Sequence, residues 1–250
     1  MSSAVKHNHT LFDHLLELRT RLLHAIVGVL VVFCSLIYFA QDIYQYVARP
    51  LLAVMPAGTQ MIATEVASPF FTPFKLTIVL SIFIAMPYIL YQLWSFIAPG
   101  LYKNEKRLVA PLMFGSTLLF YGGIAFAYYV VFPVIFTFFS SVAPDGVTIA
   151  TDISSYLDFV LKLFFAFGVA FEIPIAIILL CWTGVTTPDS LRTKRPFIVV
   201  GAFIVGMLLT PPDIISQTML AVPMLLLFEI GIIIASLYYR VDDESEPKEE

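Results

Sequence analysis

Six stretches of the chain are almost continuously apolar, and most of its charge lies in the intervals between them. From Leu22 to Ala40, 19 residues pass without a formal charge, close to the roughly 20 that cross a hydrocarbon core about 30 Å thick. The second stretch, 74–97, is interrupted by Pro87 and followed by Pro99-Gly100. The third, 111–139, would be about 43 Å long as a helix, so it must tilt or project beyond the bilayer. The fourth, 157–182, carries Lys162, Glu172 and Pro174 inside it. The fifth, 197–209, is only about 20 Å of helix before Thr210-Pro211-Pro212-Asp213 breaks it, and Asp213 is placed to cap the sixth, 214–239. Spans five and six therefore read as a short pair that thins the bilayer locally.

The polar intervals are patterned too. Upstream of the first span, Leu11, Leu15, Leu18 and Leu22 fall on one helical stripe, while Asp13, Glu17, Thr20, Arg21 and His24 gather on the other side. This predicts an amphipathic helix lying on the membrane surface, with the Glu17 carboxylate at the water boundary. Residues 41–73 mix aromatic, small and Pro-rich pieces, which predicts a long structured loop with short helical segments.

Composition settles the class: 59% hydrophobic, 13% charged and a mean hydropathy of +0.89 describe a polytopic membrane protein rather than a water-soluble domain. The expected fold is an all-α membrane protein with six transmembrane helices, residues 1–240 forming one membrane domain. Residues 241–250 form an acidic tail, expected to be solvated and disordered. Cys34 and Cys181 both lie in apolar runs and read as packing residues. No small-residue cleavage site follows a short apolar core, so no cleaved signal peptide is expected. Eleven basic residues fall on the side of the N-terminus, the 101–109 and 183–196 connections and the tail, against Arg49, Lys75 and Lys162 elsewhere. This bias places both termini in the cytoplasm.

Four strings carry a resemblance: His14-Leu15-Leu16-Glu17-Leu18-Arg19-Thr20-Arg21, Phe96-Ile97-Ala98-Pro99-Gly100-Leu101-Tyr102-Lys103-Asn104-Glu105-Lys106-Arg107, Phe171-Glu172-Ile173-Pro174, and Gly206-Met207-Leu208-Leu209-Thr210-Pro211-Pro212-Asp213. In this order and over roughly residues 10 to 238, the chain resembles the TatC family, the large multispanning subunit of the twin-arginine protein translocase. The resemblance implies a cup-like bundle, concave and open to lipid, in the bacterial cytoplasmic (inner) membrane. It implies recognition of the paired arginines of export signal peptides on folded precursor proteins. It also implies transport driven by the proton-motive force, with TatA-type and TatB-type single-span partners and other copies of the chain in a hetero-oligomer. No enzymatic activity, cofactor, metal or nucleic acid is implied, and no GxxxxGK[ST] stretch is present.

An arginine pair needs two planar acceptors, because each guanidinium can make two parallel charge-assisted hydrogen bonds to one carboxylate. Glu17 and Glu105 fit that requirement, with Arg19 as a membrane anchor that helps shape the site. The alternative for each is local pairing: Glu17 with Arg21 at i, i+4, and Glu105 with Lys106, Arg107 or a neighbouring loop. Glu172 is expected near mid-membrane, where a lone acid is costly. It is either a polar, water-accessible spot that locally thins or hydrates the bilayer or contacts a partner helix, or a protonated acid bonded to the carbonyl freed by Pro174. Glu229 reads as structural. The resemblance makes Met207, Thr210 and Gln217, around the turn between spans five and six, the docking site for partner helices; simple turn capping is the alternative. A proton-coupled transporter using Glu172 is the competing function, but no repeat symmetry supports it.

Overall fold

The computed structural model describes the backbone of residues 2–54, 61–97, 109–142, 151–209 and 214–243. Among them all regular structure is helical, apart from one isolated bridge between Ile62 and Asp152. Glu105, Thr210, Asp213 and residues 244–250 lie outside the described residues.

Helix α1 runs unbroken from Ser2 to Leu36. A separate surface helix followed by a span is therefore not what forms: residues 2–36 contain no proline and a single glycine, Gly28, so nothing stops the helix at the water boundary. A 3₁₀ turn, Ile37–Phe39, joins it to α2, Ala40–Val54, the first helical piece of the expected 41–73 loop. Leu15, Leu22 and Leu30 are exposed, as expected of a helix facing lipid.

Four helical segments are long and apolar enough to cross a membrane: Leu15–Arg49, Ala110–Ser141, Ile153–Trp182 and Ile214–Leu237. A fifth is the bent pair α3, Ser68–Ile84, and α4, Met86–Ile97, which meet at 49°. Pro87 causes the bend, since it cannot donate to the Phe83 carbonyl. The apolar helix Arg195–Leu209, at the position of the expected short fifth span, falls below that length.

Contacts divide the chain into two compact units, 1–46 with 70–117 and 47–69 with 118–250. In the first, α1 packs on α4, and Phe33 meets Phe74 edge-on at 5.4 Å. Buried Thr77 and Ser81 donate to the carbonyls of Pro73 (2.8 Å) and Thr77 (2.6 Å) within α3, so neither hydroxyl is an unmet polar group in lipid.

The second unit is built around aromatics. Helix α5, Val109–Phe126, passes through a five-residue π turn, Ala127–Val131, into α6, Phe132–Ser141. The widened turn falls just before Pro133, which cannot donate to the carbonyl four residues earlier. Helix α7, Ile153–Ala170, breaks at Phe171-Glu172 before α8, Ile173–Trp182, because Pro174 leaves the Ala170 carbonyl without its helical donor. Phe126 packs on Phe167 with ring centroids 5.5 Å apart, and Phe132 packs on both Phe136 (5.6 Å) and Phe164 (5.0 Å). A Cβ at Gly123 would collide with the Phe167 carbonyl, and one at Gly231 would come within 2.9 Å of the Pro174 Cα. Glycine is thus what lets α5 approach α7, and α11 approach α8. The short helix α9, Pro188–Thr193, leads into α10, Arg195–Leu209, and α11, Ile214–Asp243, completes the unit.

Candidate functional site

In the first unit, Glu17 and Arg21 lie one turn apart on α1, and Arg21 Nη2 donates to Glu17 Oε1 at 3.2 Å. The local pairing therefore forms, in the favourable order with the acid N-terminal to the base. It is single-pronged: among the described residues, one nitrogen of Arg21 meets one oxygen of Glu17. The side chains are 35% (Glu17) and 31% (Arg21) exposed. Such a pair is worth about 0.3–0.5 kcal/mol, little enough to be exchanged for a better partner. Arg19, on the same helix, is exposed and stands apart from this contact.

The other end of Arg21 has a partner that sequence reasoning missed. Its Nη1 donates to Gln92 Oε1 on α4 at 3.3 Å, and Gln92 is buried, at 6% exposure. A signal existed, since Gln92 is a lone amide in the apolar run Tyr88-Ile89-Leu90-Tyr91-Gln92-Leu93-Trp94, but spacing could not say which helix it faces. Leu18, Leu22, Ala25, Ile89, Leu93 and Phe96 surround the pair in an apolar cleft of about 120 Å³.

In the second unit, Met207 is exposed on α10. Next to it, buried Gly206 lies against α11, where a Cβ would stand 3.5 Å from the Gln217 Cα. The structure thus brings Met207 and Gln217 to one end of the α10–α11 pair. Glu172 occupies the break between α7 and α8. Its N–H donates to the Val169 carbonyl at 3.0 Å, its carbonyl accepts from Ala176 at 2.9 Å, and its carboxylate oxygen Oε1 is buried. Glu229 has the structural role expected of it, accepting from Arg195 Nη2 at 2.6 Å and tying the start of α10 to α11.

A fourth carboxylate, Asp152, caps α7. It accepts from the backbone N–H groups of Ser154 (3.1 Å) and Ser155 (3.0 Å). It also accepts from the N–H and hydroxyl of Thr64 (3.0 and 2.9 Å) and from the Ser155 hydroxyl (3.2 Å). Ile62 adds two backbone bonds, to Thr151 and from Ile153, Ser154 donates to Ser68 at 3.0 Å, and the Tyr156 hydroxyl donates to the Val47 carbonyl at 2.9 Å. The Thr64 and then the Ser155 backbone donors hold the Asp152 carboxyl down at about 2, because they favour the charged form. This clip joins residues about ninety positions apart, which no local pattern announces.

The sequence profile of the family described as Sec-independent protein translocase protein (TatC) matches residues 13–223. Among relatives of that description, the Haemophilus influenzae protein is 62% identical over 98% of this chain and 96% of its own length. The Escherichia coli K12 protein is 59% identical over 94% and 91%, and the Aquifex aeolicus protein 39% identical over 94% and 98%. A crystal structure described as the twin arginine translocase receptor TatC superposes with a TM-score of 0.80 at 39% identity, covering 90% of this chain and 98% of that one.

Proposed function

The chain belongs to the TatC family of Sec-independent protein translocase proteins, and from that premise we propose that it is the receptor for twin-arginine signal peptides. On this reading it is also the core subunit through which folded precursor proteins are exported, driven by the proton-motive force. The observation that carries the receptor reading is the Glu17 carboxylate, one-third exposed and held by a single nitrogen of Arg21. An arriving guanidinium can offer it two parallel hydrogen bonds where Arg21 offers one. Glu105 supplies the second carboxylate, and Arg19 anchors the site at the headgroups. The basic-residue bias supports a cytoplasmic position for these groups and both termini, with the chain in the inner membrane.

Met207, Thr210 and Gln217 form the docking site for TatA-type and TatB-type helices, where a polar group in lipid gains from an interhelical hydrogen bond. Glu172 is a polar point within the membrane-spanning part, and further copies of the chain complete the complex. The test is crosslinking of the membrane-inserted chain to a signal peptide bearing Arg-Arg. Glu105→Ala, and more weakly Glu17→Ala, should abolish it, and undiminished crosslinking in the double variant overturns the assignment. Export of a folded twin-arginine reporter, in cells lacking their own TatC and supplied with this chain, tests the wider function.

A further inference from the structure

We infer that Gln92 is a positioning residue of the arginine receptor: it retains Arg21 while Glu17 exchanges that arginine for the guanidinium of an arriving signal. The inference rests on the reading of Glu17 as a receptor carboxylate and adds to it the means by which the carboxylate is vacated. Arg21 divides its guanidinium between two acceptors, Nη2 to Glu17 at 3.2 Å and Nη1 to Gln92 at 3.3 Å. The two ends differ in access. Glu17 is one-third exposed, while Gln92 is buried, so a cation arriving from water competes at Glu17 and not at Gln92. Exchange is therefore one-ended, and Arg21 keeps an acceptor throughout.

The residue type suits the task. An amide oxygen accepts from a guanidinium but carries no charge, so Gln92 holds one end of Arg21 without pulling it off Glu17 before a signal arrives. A buried amide that lost its partner would carry a desolvation cost, which favours keeping Arg21 in place. Without Gln92, an Arg21 displaced from Glu17 would stand half-buried beside Leu18, Leu22, Ile89 and Leu93, none of which offers an acceptor, and every binding event would bear that cost. Arg21 also sets a threshold: a ligand must outcompete a guanidinium already in place. A forked arginine does this better than the point charge of lysine.

The experiment titrates a fluorescent peptide bearing an Arg-Arg signal, and its Lys-Lys counterpart, into the full chain in nanodiscs. Gln92→Leu should weaken Arg-Arg binding roughly five- to ten-fold, the size of a lost hydrogen bond to a charged, partly screened group. In an Arg21→Met background the same substitution should have no effect, because there is no longer an arginine to retain. Arg21→Met alone should tighten binding and narrow the preference for Arg-Arg over Lys-Lys. An equal loss from Gln92→Leu with and without Arg21 would mean that Gln92 merely packs α1 on α4, and would overturn the inference. If Gln92→Leu does not insert, Gln92→Glu replaces it: a carboxylate there draws Arg21 away from Glu17 and should tighten binding, and unchanged or weaker binding overturns the inference. Glu17→Gln separates the two levels. If Glu17→Gln binds like the wild type, the receptor reading itself fails; if it weakens binding while Gln92→Leu does not, the role of Gln92 alone fails.

Discussion

Glu17 and Asp152 are both carboxylates at the edge of a membrane span, and the structure treats them oppositely. Among the described residues, Asp152 accepts five hydrogen bonds from Thr64, Ser154 and Ser155, whereas Glu17 accepts one, from Arg21. A saturated carboxylate has no lone pair left to offer, and its use is to hold backbone together. One with three of its roughly four lone-pair sites to spare can take a planar, two-pronged donor. The identity of an acid says less about its role than the number of donors already on it.

The sharpest way to break this comparison is to exchange the readouts. Glu17→Ala should cut signal-peptide binding by about ten-fold or more while moving the melting temperature by no more than about 1 °C, since only a single-pronged, partly exposed i, i+4 pair is lost. Asp152→Ala should do the reverse: a clear drop in melting temperature, read by a thiol-probe or light-scattering melt, with peptide binding retained. If the two variants behave alike, counting donors has no diagnostic value here.

Acid sharpens the contrast next. The Asp152 carboxyl lies at about 2 in the folded chain against an ordinary 3.8. The clip therefore contributes its full stability above about pH 4 and loses it as the pH falls through 2. Melting temperatures measured from pH 5 down to pH 2 should decline in that window, and Asp152→Ala should flatten the decline. A smaller effect is expected at the α10–α11 contact. Gly206→Leu should push α10 off Gln217 and weaken photo-crosslinking from Met207 to single-span partners, and unaltered crosslinking would count against docking there. The smallest belongs to Arg195 and Glu229, each more than a third exposed. Arg195→Gln should lower the melting temperature by about 1–2 °C at most.

Much of this was legible in the residues. Pro87 and Pro174 announced the breaks before α4 and α8, because a missing N–H acts locally and shows in the sequence. The four-residue spacing announced the contact of Glu17 with Arg21. The unbroken α1 was misread because amphipathicity changes to uniform apolarity near Leu22, and a change of environment is not a change of backbone. Gln92 and the Thr64–Asp152 clip could not be read, since both join segments 71 or more positions apart, and a one-dimensional pattern carries no record of which face meets which. Glu105 and Thr210 fall outside the described residues, so their part in the site rests on the family motif.

The continuity of α1 has a mechanical consequence. From residue 17 to residue 36 the helix is about 28 Å of rod without a hinge, with the Glu17 carboxylate at one end of that stretch and exposed leucines along it. If Glu17 is the receptor carboxylate proposed above, a signal pulling on it cannot dissipate the load by flexing a linker. The pull becomes tilt of the whole rod in the bilayer, so that engagement at the water surface is felt as torque on the far leaflet.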